Sequence, residues 1–144
     1  MAEVMLNHLG GGRFRAFSAG SHPTGKVNAF ALETLEGMGM DPSAVRSKRW
    51  EEFAAPGAPP IDLVFTVCDS AAAETCPAWP GKPVSAHWGI EDPAAVEGND
   101  EEKRAAFRRA AAILRRRIER LLDLEIENLD PGTLRAKLQQ VGDR

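Results

Sequence analysis

The chain has two cysteines, Cys68 and Cys76, where an apolar run gives way to a loop, in Leu63-Val64-Phe65-Thr66-Val67-Cys68 and on to Thr75-Cys76-Pro77. As thiolates they are nucleophiles, and each can exchange with another sulfur. In open α/β sheets ligands bind beyond the carboxyl ends of the strands, so a cysteine at a strand's end is placed for chemistry. A thiol pair in a chain with no export signal points to catalysis or metal binding before it points to a structural staple. The competing reading is packing, because free cysteines are among the most buried side chains. Cys76 lies eight positions after Cys68. That is too far for a rigid Cys-x-x-C turn, and a bridge needs the loop to fold back until the Cα atoms are within about 7 Å. Zinc held by Cys68, Cys76 and His87 would lack both the tight ligand pairs and the fourth ligand of structural sites. Asp92 stands before Pro93 in His87-Trp88-Gly89-Ile90-Glu91-Asp92-Pro93 and reads locally as a turn or a helix cap. His87 and Trp88 read as packing and hydrogen-bonding residues, while His8 and His22 suggest no chemistry.

These residues need a frame to hold them, and the hydrophobic pattern supplies one. Residues 2–9 read as a helix with Val4, Met5 and Leu9 on one face, stopped by Gly10-Gly11-Gly12. Residues 13–19 read as a short strand, with Phe14, Ala16 and Ser18 facing away from Arg15 and Phe17. Asn28 is a helix cap before Phe30, Ala31, Leu35 and Met38 at helical spacing. Residues 47–53 read as a short helix or turn, and residues 54–60 as a Pro/Gly-rich loop. The run Ile61-Asp62-Leu63-Val64-Phe65-Thr66-Val67 predicts a strand buried on both faces, as in a parallel sheet. Residues 83–86 predict a second short strand near an edge. Asp100 is the expected cap of a long helix to about Asp123, with Phe107, Ala110, Ala111, Leu114, Ile118, Leu121 and Leu122 inward. A smaller helix from Pro131 would pack Leu134, Leu138 and Val141. The alternation of strand and helix argues for a three-layer α/β sandwich around a small parallel sheet.

Composition narrows the function classes. The 144 residues fit one domain, and 43% hydrophobic with 27% charged residues is ordinary for a globular chain. A net charge of −3 gives no reason to expect nucleic acid or an acidic membrane as a partner. The arginines Arg108, Arg109, Arg115, Arg116, Arg117 and Arg120 could track phosphates. Glu101, Glu102 and Glu119 lie among them, however, so the run reads as a solvated helix face. No apolar run is long enough to span a bilayer and the start lacks a secretory pattern, so a reducing cytoplasm is expected.

Several segments together are similar to one family. Ser18-Ala19-Gly20-Ser21, Val45-Arg46-Ser47-Lys48, Phe65-Thr66-Val67-Cys68-Asp69, Cys76-Pro77-Ala78-Trp79-Pro80-Gly81 and the His87–Pro93 segment resemble the thioredoxin-coupled arsenate reductases. Those enzymes share the fold of the low-molecular-weight protein tyrosine phosphatases. The resemblance runs from Met1 to about Leu124, leaving residues 125–144 as an expected C-terminal helical extension of a domain spanning 1–124. It implies arsenate as a small oxyanion substrate, thioredoxin or another thiol as reductant, and no bound cofactor. It also implies roles. The family's first thiolate forms an arseno-thiolate; a second cysteine, matching Cys68, resolves it; a third, matching Cys76, takes over the disulfide. Asp92 matches the general acid that protonates the leaving oxygen.

The chain departs from the family at the start. Members open with a strand leading into an anion-binding loop, a Cys and an Arg separated by five residues, and then a helix often beginning Met-Ala-Glu. Here Met1-Ala2-Glu3 is the first residue triplet, and six positions after Cys68 and Cys76 stand Glu74 and Lys82 rather than arginine. The expectation is therefore a phosphatase-like sheet whose first strand is missing from this chain. Strands 13–19 and 61–67 would then be left about 9–10 Å apart, twice the normal spacing, unless they pair directly or borrow a strand. Ser18 and Ser21 would touch the anion loop in full-length relatives. Two further readings stay open: a non-catalytic or thiol-disulfide module of the same fold, and a low-molecular-weight phosphatase. The phosphatase has no use for paired cysteines, and this chain has no tyrosine of the kind that family carries beside its acid.

Overall fold

A computed structural model describes residues 1–20, 25–67 and 83–143. Helix α1 (Ala2–Leu9) ends where the Gly10 N–H bonds to the Leu6 carbonyl and Gly11 and Gly12 turn to positive φ, 55° and 90°. Helix α2 (Ala29–Gly37) starts at Asn28, whose Oδ1 accepts the Phe30 N–H at 2.8 Å. Strands β1 (Leu63–Thr66) and β2 (Val84–His87) pair in parallel, Leu63 opposite Val84 and Thr66 opposite His87. Helix α3 (Asp100–Leu122) and helix α4 (Pro131–Gly142) complete the described elements, with short 3₁₀ turns at Trp50–Phe53, Pro93–Ala95 and Ile126–Asn128.

The cap of α3 is Asn99 rather than the expected Asp100. Asn99 has an extended backbone that lets its Oδ1 reach the Glu102 N–H at 2.9 Å, while Asp100 is already helical and joins Glu101 and Glu102 at the positive end of the helix dipole. The inward face of α3 is the expected one: Phe107, Ala110, Ala111, Leu114, Ile118 and Leu121 are buried, with Leu122 partly so. Asp130 caps α4 through Thr133, and Leu134, Leu138 and Val141 are buried in the same cluster as Val4, Met5, Leu35 and Trp88. The molecule is α/β, with a small parallel sheet packed among helices; α4 lies against β2, and α1 and α2 lie against α3.

Two expectations about strands need correction. The four β1 residues are half-buried rather than sealed on both faces, because the sheet among the described residues has only two strands. Residues 13–19 do not form a strand, nor do they pair with β1. Their polar backbone groups bond to side chains instead. The Asn7 carboxamide takes both groups of Ala16, donating to its carbonyl at 3.1 Å and accepting its N–H at 2.8 Å. The Ser18 N–H goes to Glu3 Oε1 at 2.7 Å. Glu3 and Asn7 are one turn apart on α1, so one face of that helix supplies the acceptors a neighbouring strand would have supplied. Gly20 makes a single parallel bridge to Arg49.

Candidate active site

Because β1 and β2 are parallel, their carboxyl ends lie on the same edge of the sheet, and the ladder continues beyond the strands proper. The Trp88 N–H bonds to the Thr66 carbonyl at 2.7 Å, and the Ile90 N–H to the Val67 carbonyl at 3.0 Å. Val67 is the residue before Cys68 in the sequence, and Ile90 stands two residues before Asp92. The backbone leading to Asp92 is thus tied to the residue that precedes Cys68 in the sequence. Cys68 and Cys76 themselves lie outside the described residues.

Asp92 is exposed and caps the 93–95 turn, its Oδ1 accepting the Ala94 N–H at 2.9 Å, with Pro93 at the first position of the turn. The cap expected from the Asp-Pro pair is present. It holds the carboxylate at the mouth of the segment, open to solvent.

Side chains from both strands and from α3 and α4 hold this edge. Thr66 Oγ1 and His87 Nδ1, opposite each other in the register, are 2.7 Å apart. The Trp88 ring is 3% exposed, packs on Phe65 at 4.1 Å between centroids, and donates its indole N–H to the Leu138 carbonyl at 2.8 Å. The Gln139 carboxamide donates to the His87 carbonyl at 3.0 Å and accepts the His87 N–H at 3.1 Å. In a parallel ladder alternate residues point their backbone groups away from the partner strand, so Gln139 satisfies the outward edge of β2. Arg117, from α3, donates to the Trp88 carbonyl at 2.8 Å and the Gly89 carbonyl at 3.3 Å.

Arg117 is the main correction within the arginine run. It is buried, whereas Arg108, Arg109, Arg115 and Arg116 are exposed. Arg108 pairs with Glu101 and Arg115 with Glu119 on the helix surface. Burial holds the Arg117 guanidinium below its ordinary value; Arg116 and Arg120 push the same way, and Asp143 opposes. The signal for its burial was the spacing 110–114–117–121, which puts Arg117 in the stripe of Ala110, Leu114 and Leu121. Gln139 carried no such signal, because its partner is the backbone of a distant strand.

Away from the sheet edge, Ser18 and Lys48 meet at Glu3. Lys48 Nζ is 3.4 Å from Glu3 Oε1, with side chains 6% and 11% exposed, and also donates to the Arg46 carbonyl. Among the described residues, no group of three His, Cys, Asp or Glu side chains converges as a metal site, and no helix is long and apolar enough to cross a membrane.

Comparison with known proteins agrees with this architecture. Residues 1–137 match the family described as low molecular weight phosphotyrosine protein phosphatase. The arsenate reductase of Halalkalibacterium halodurans is 38% identical over 118 residues, 82% of this chain and 81% of that protein. The arsenate reductase of Bacillus licheniformis is 34% identical over 85% of each chain. That of Bacillus subtilis is 35% identical over 76% of this chain and 75% of its own. The chain belongs to the low molecular weight phosphotyrosine protein phosphatase family, on the branch that resembles the arsenate reductases.

Proposed function

We propose that this chain is the body of an arsenate reductase that works through a thiol–disulfide relay, with Cys68 and Cys76 as the relay thiols and Asp92 as the general acid. The observation that supports the reading most directly is the bond from Ile90 N–H to the Val67 carbonyl, which joins the backbone approaching Asp92 to the residue before Cys68. In this reading the thiolate that attacks arsenate belongs to a Cys–five residues–Arg loop outside these 144 residues, which hold no such segment.

The loop thiolate forms a sulfur–arsenic bond, and an arsenate oxygen leaves as water with a proton from Asp92. Cys68 thiolate attacks the loop sulfur; the S–As electron pair stays with arsenic, reducing As(V) to As(III), and arsenite departs as a disulfide forms. Cys76 thiolate then attacks the Cys68 sulfur and frees the loop thiolate. A dithiol reductant such as thioredoxin opens the Cys68–Cys76 disulfide. The phosphatase alternative uses Asp92 in the same way but gives the two thiols no task.

The test is steady-state arsenate turnover with thioredoxin, its reductase and NADPH. The 144-residue chain is expected to show no turnover above the uncatalysed thiol background, while a chain preceded by the loop turns over. Mild oxidation of the 144-residue chain is expected to close an intramolecular Cys68–Cys76 disulfide, seen by thiol titration and mass. In Cys76→Ser, Cys68 would form mixed disulfides only. Two free thiols after oxidation, or intermolecular dimers alone, would overturn the relay.

A further inference from the structure

Arg117 occupies a costly position. It is 8% exposed in the apolar stripe of α3, and its hydrogen bonds among the described residues go to neutral carbonyls. Its Nε hydrogen is buried without an acceptor among the described residues. A cation held this way adds little to stability beyond what an apolar side chain of similar volume would give. What it does supply is direction: one guanidinium nitrogen, Nη1, donates to both the Trp88 and the Gly89 carbonyl and so fixes where they sit.

Those carbonyls mark the point where the chain leaves β2 on its way to Asp92. Downstream, the 93–95 turn capped by Asp92 packs on the same helix. Helix α3 therefore holds the segment at both ends, by the Arg117 Nη1 bonds at the start and by contact with the turn at the finish. Between them the Ile90 N–H bond to Val67 sets the height of the segment against β1. Ile90 is partly buried against the core, but Gly89 before it adds no side chain, so loss of the Nη1 bonds would loosen the stretch from 89 to 92.

We propose that Arg117 is a positioning residue that fixes the Trp88–Asp92 segment, and with it the Asp92 carboxylate, relative to the carboxyl end of β1. The proposal rests on the reading of Asp92 as the acid, and it acts through backbone rather than through substrate.

Amide hydrogen exchange, followed by NMR on the 144-residue chain, tests it. Arg117→Met keeps the length and loses the donors; Arg116→Met, on the exposed side of the same turn, is the control. Arg117→Met is expected to speed exchange of the Ile90 N–H and the Trp88 indole N–H about tenfold or more, the ratio carried by a net hydrogen bond to a charged donor. It should also shift the Ala94 amide resonance, while the amides of Leu114 and Leu138 exchange as before. Arg117→Lys, which keeps one charged donor nitrogen on a flexible stem, should recover part of the protection, and Arg116→Met should change nothing. Unchanged exchange at Ile90, or an equal acceleration throughout the domain, would overturn the proposal. Should Arg117→Met not fold, Arg117→Gln, neutral and shorter, decides: protection at Ile90 equal to that of the parent overturns it. Failure of the acid reading appears elsewhere, as arsenate turnover by a loop-bearing chain that Asp92→Asn does not change.

Discussion

Residues 13–16 and residues 84–87 both alternate polar and apolar side chains, and both meet a side-chain carboxamide that bonds the N–H and C=O of one residue. Asn7 does this for Ala16, and Gln139 does it for His87. Only the second segment is a strand. His87 has β1 on one side and the carboxamide on the other, so Gln139 finishes an existing ladder. Ala16 has the carboxamide in place of a ladder. The contrast shows that alternation sets which way side chains point, whereas strand identity depends on a neighbour whose backbone is in register.

The largest effect should come from the region without a ladder, because its anchor is a buried charge. Glu3 accepts from the Ser18 backbone and faces Lys48, with both side chains nearly sealed from solvent. Glu3→Ala would strand the Lys48 ammonium and is expected to cost about 3–5 kcal/mol in urea unfolding. Adding Lys48→Met to that variant should recover most of the loss, since the cost comes from the unpaired charge. A single-variant loss under about 1 kcal/mol, the level of an exposed pair, would mean that Glu3 does not anchor residues 13–19.

The two carboxamides offer a more direct test of the comparison. Gln139→Ala uncovers the half-buried edge of β2 and should cost about 1–2 kcal/mol, while Asn7→Ala at an exposed site should cost about 1 kcal/mol or less. Amide exchange separates them further. Gln139→Ala should release the His87 N–H and leave Ala86 protected by β1; Asn7→Ala should release Ala16 and leave nothing protected beside it. If Ala16 kept its protection without Asn7, residues 13–19 would have a partner other than α1, and the contrast would fail.

The same distinction explains what could be read from the sequence. Helix positions were legible because their signals are local: Asn28 caps the helix it was expected to cap, and the last helix begins at Pro131 as expected. The one-residue slip from Asp100 to Asn99 arose between two adjacent residues that both cap well. The strands at 61–67 and 83–86 were legible because their apolar runs are short and bounded by turn residues. The strand expected at 13–19 failed because nothing within seven residues reveals whether a partner lies alongside. At the site, the Asp92 cap follows from its Pro93 neighbour, whereas Arg117 was read with the solvated arginine run although its helical spacing sets it in the apolar stripe. Gln139 was not, for its task depends on the packing of α4 against β2. For Cys68 and Cys76 the comparison stops at Val67 and Pro83, the described residues on either side.

The smallest expected effect concerns how residues 13–19 begin. Arg13 donates to the carbonyls of Leu122, at 2.7 Å, and Leu124, and it pairs with Glu127 at 3.2 Å. One guanidinium thus closes the carboxyl end of α3 and fixes the point where the chain leaves Gly12. The hydrogen bond from Arg13 is the first cause holding the Glu127 carboxyl below its ordinary value, and the carboxyl's own backbone contact adds to it. The sign follows from linkage: a carboxyl whose folded pKa is depressed contributes stability above its unfolded value of about 4.3, and that contribution is lost as pH falls through the folded pKa. Glu127 is exposed, so salt should weaken the effect. The stability difference between the parent and Glu127→Gln is expected to stay level from about pH 7 to pH 5, to narrow below about pH 4, and to shrink in high salt. Arg13→Gln should show a further loss that persists at low pH, because the carbonyls of Leu122 and Leu124 do not titrate. A Glu127→Gln gap that stayed constant into strong acid would show that Glu127 acts by packing, leaving the helix carbonyls as the main partners of Arg13.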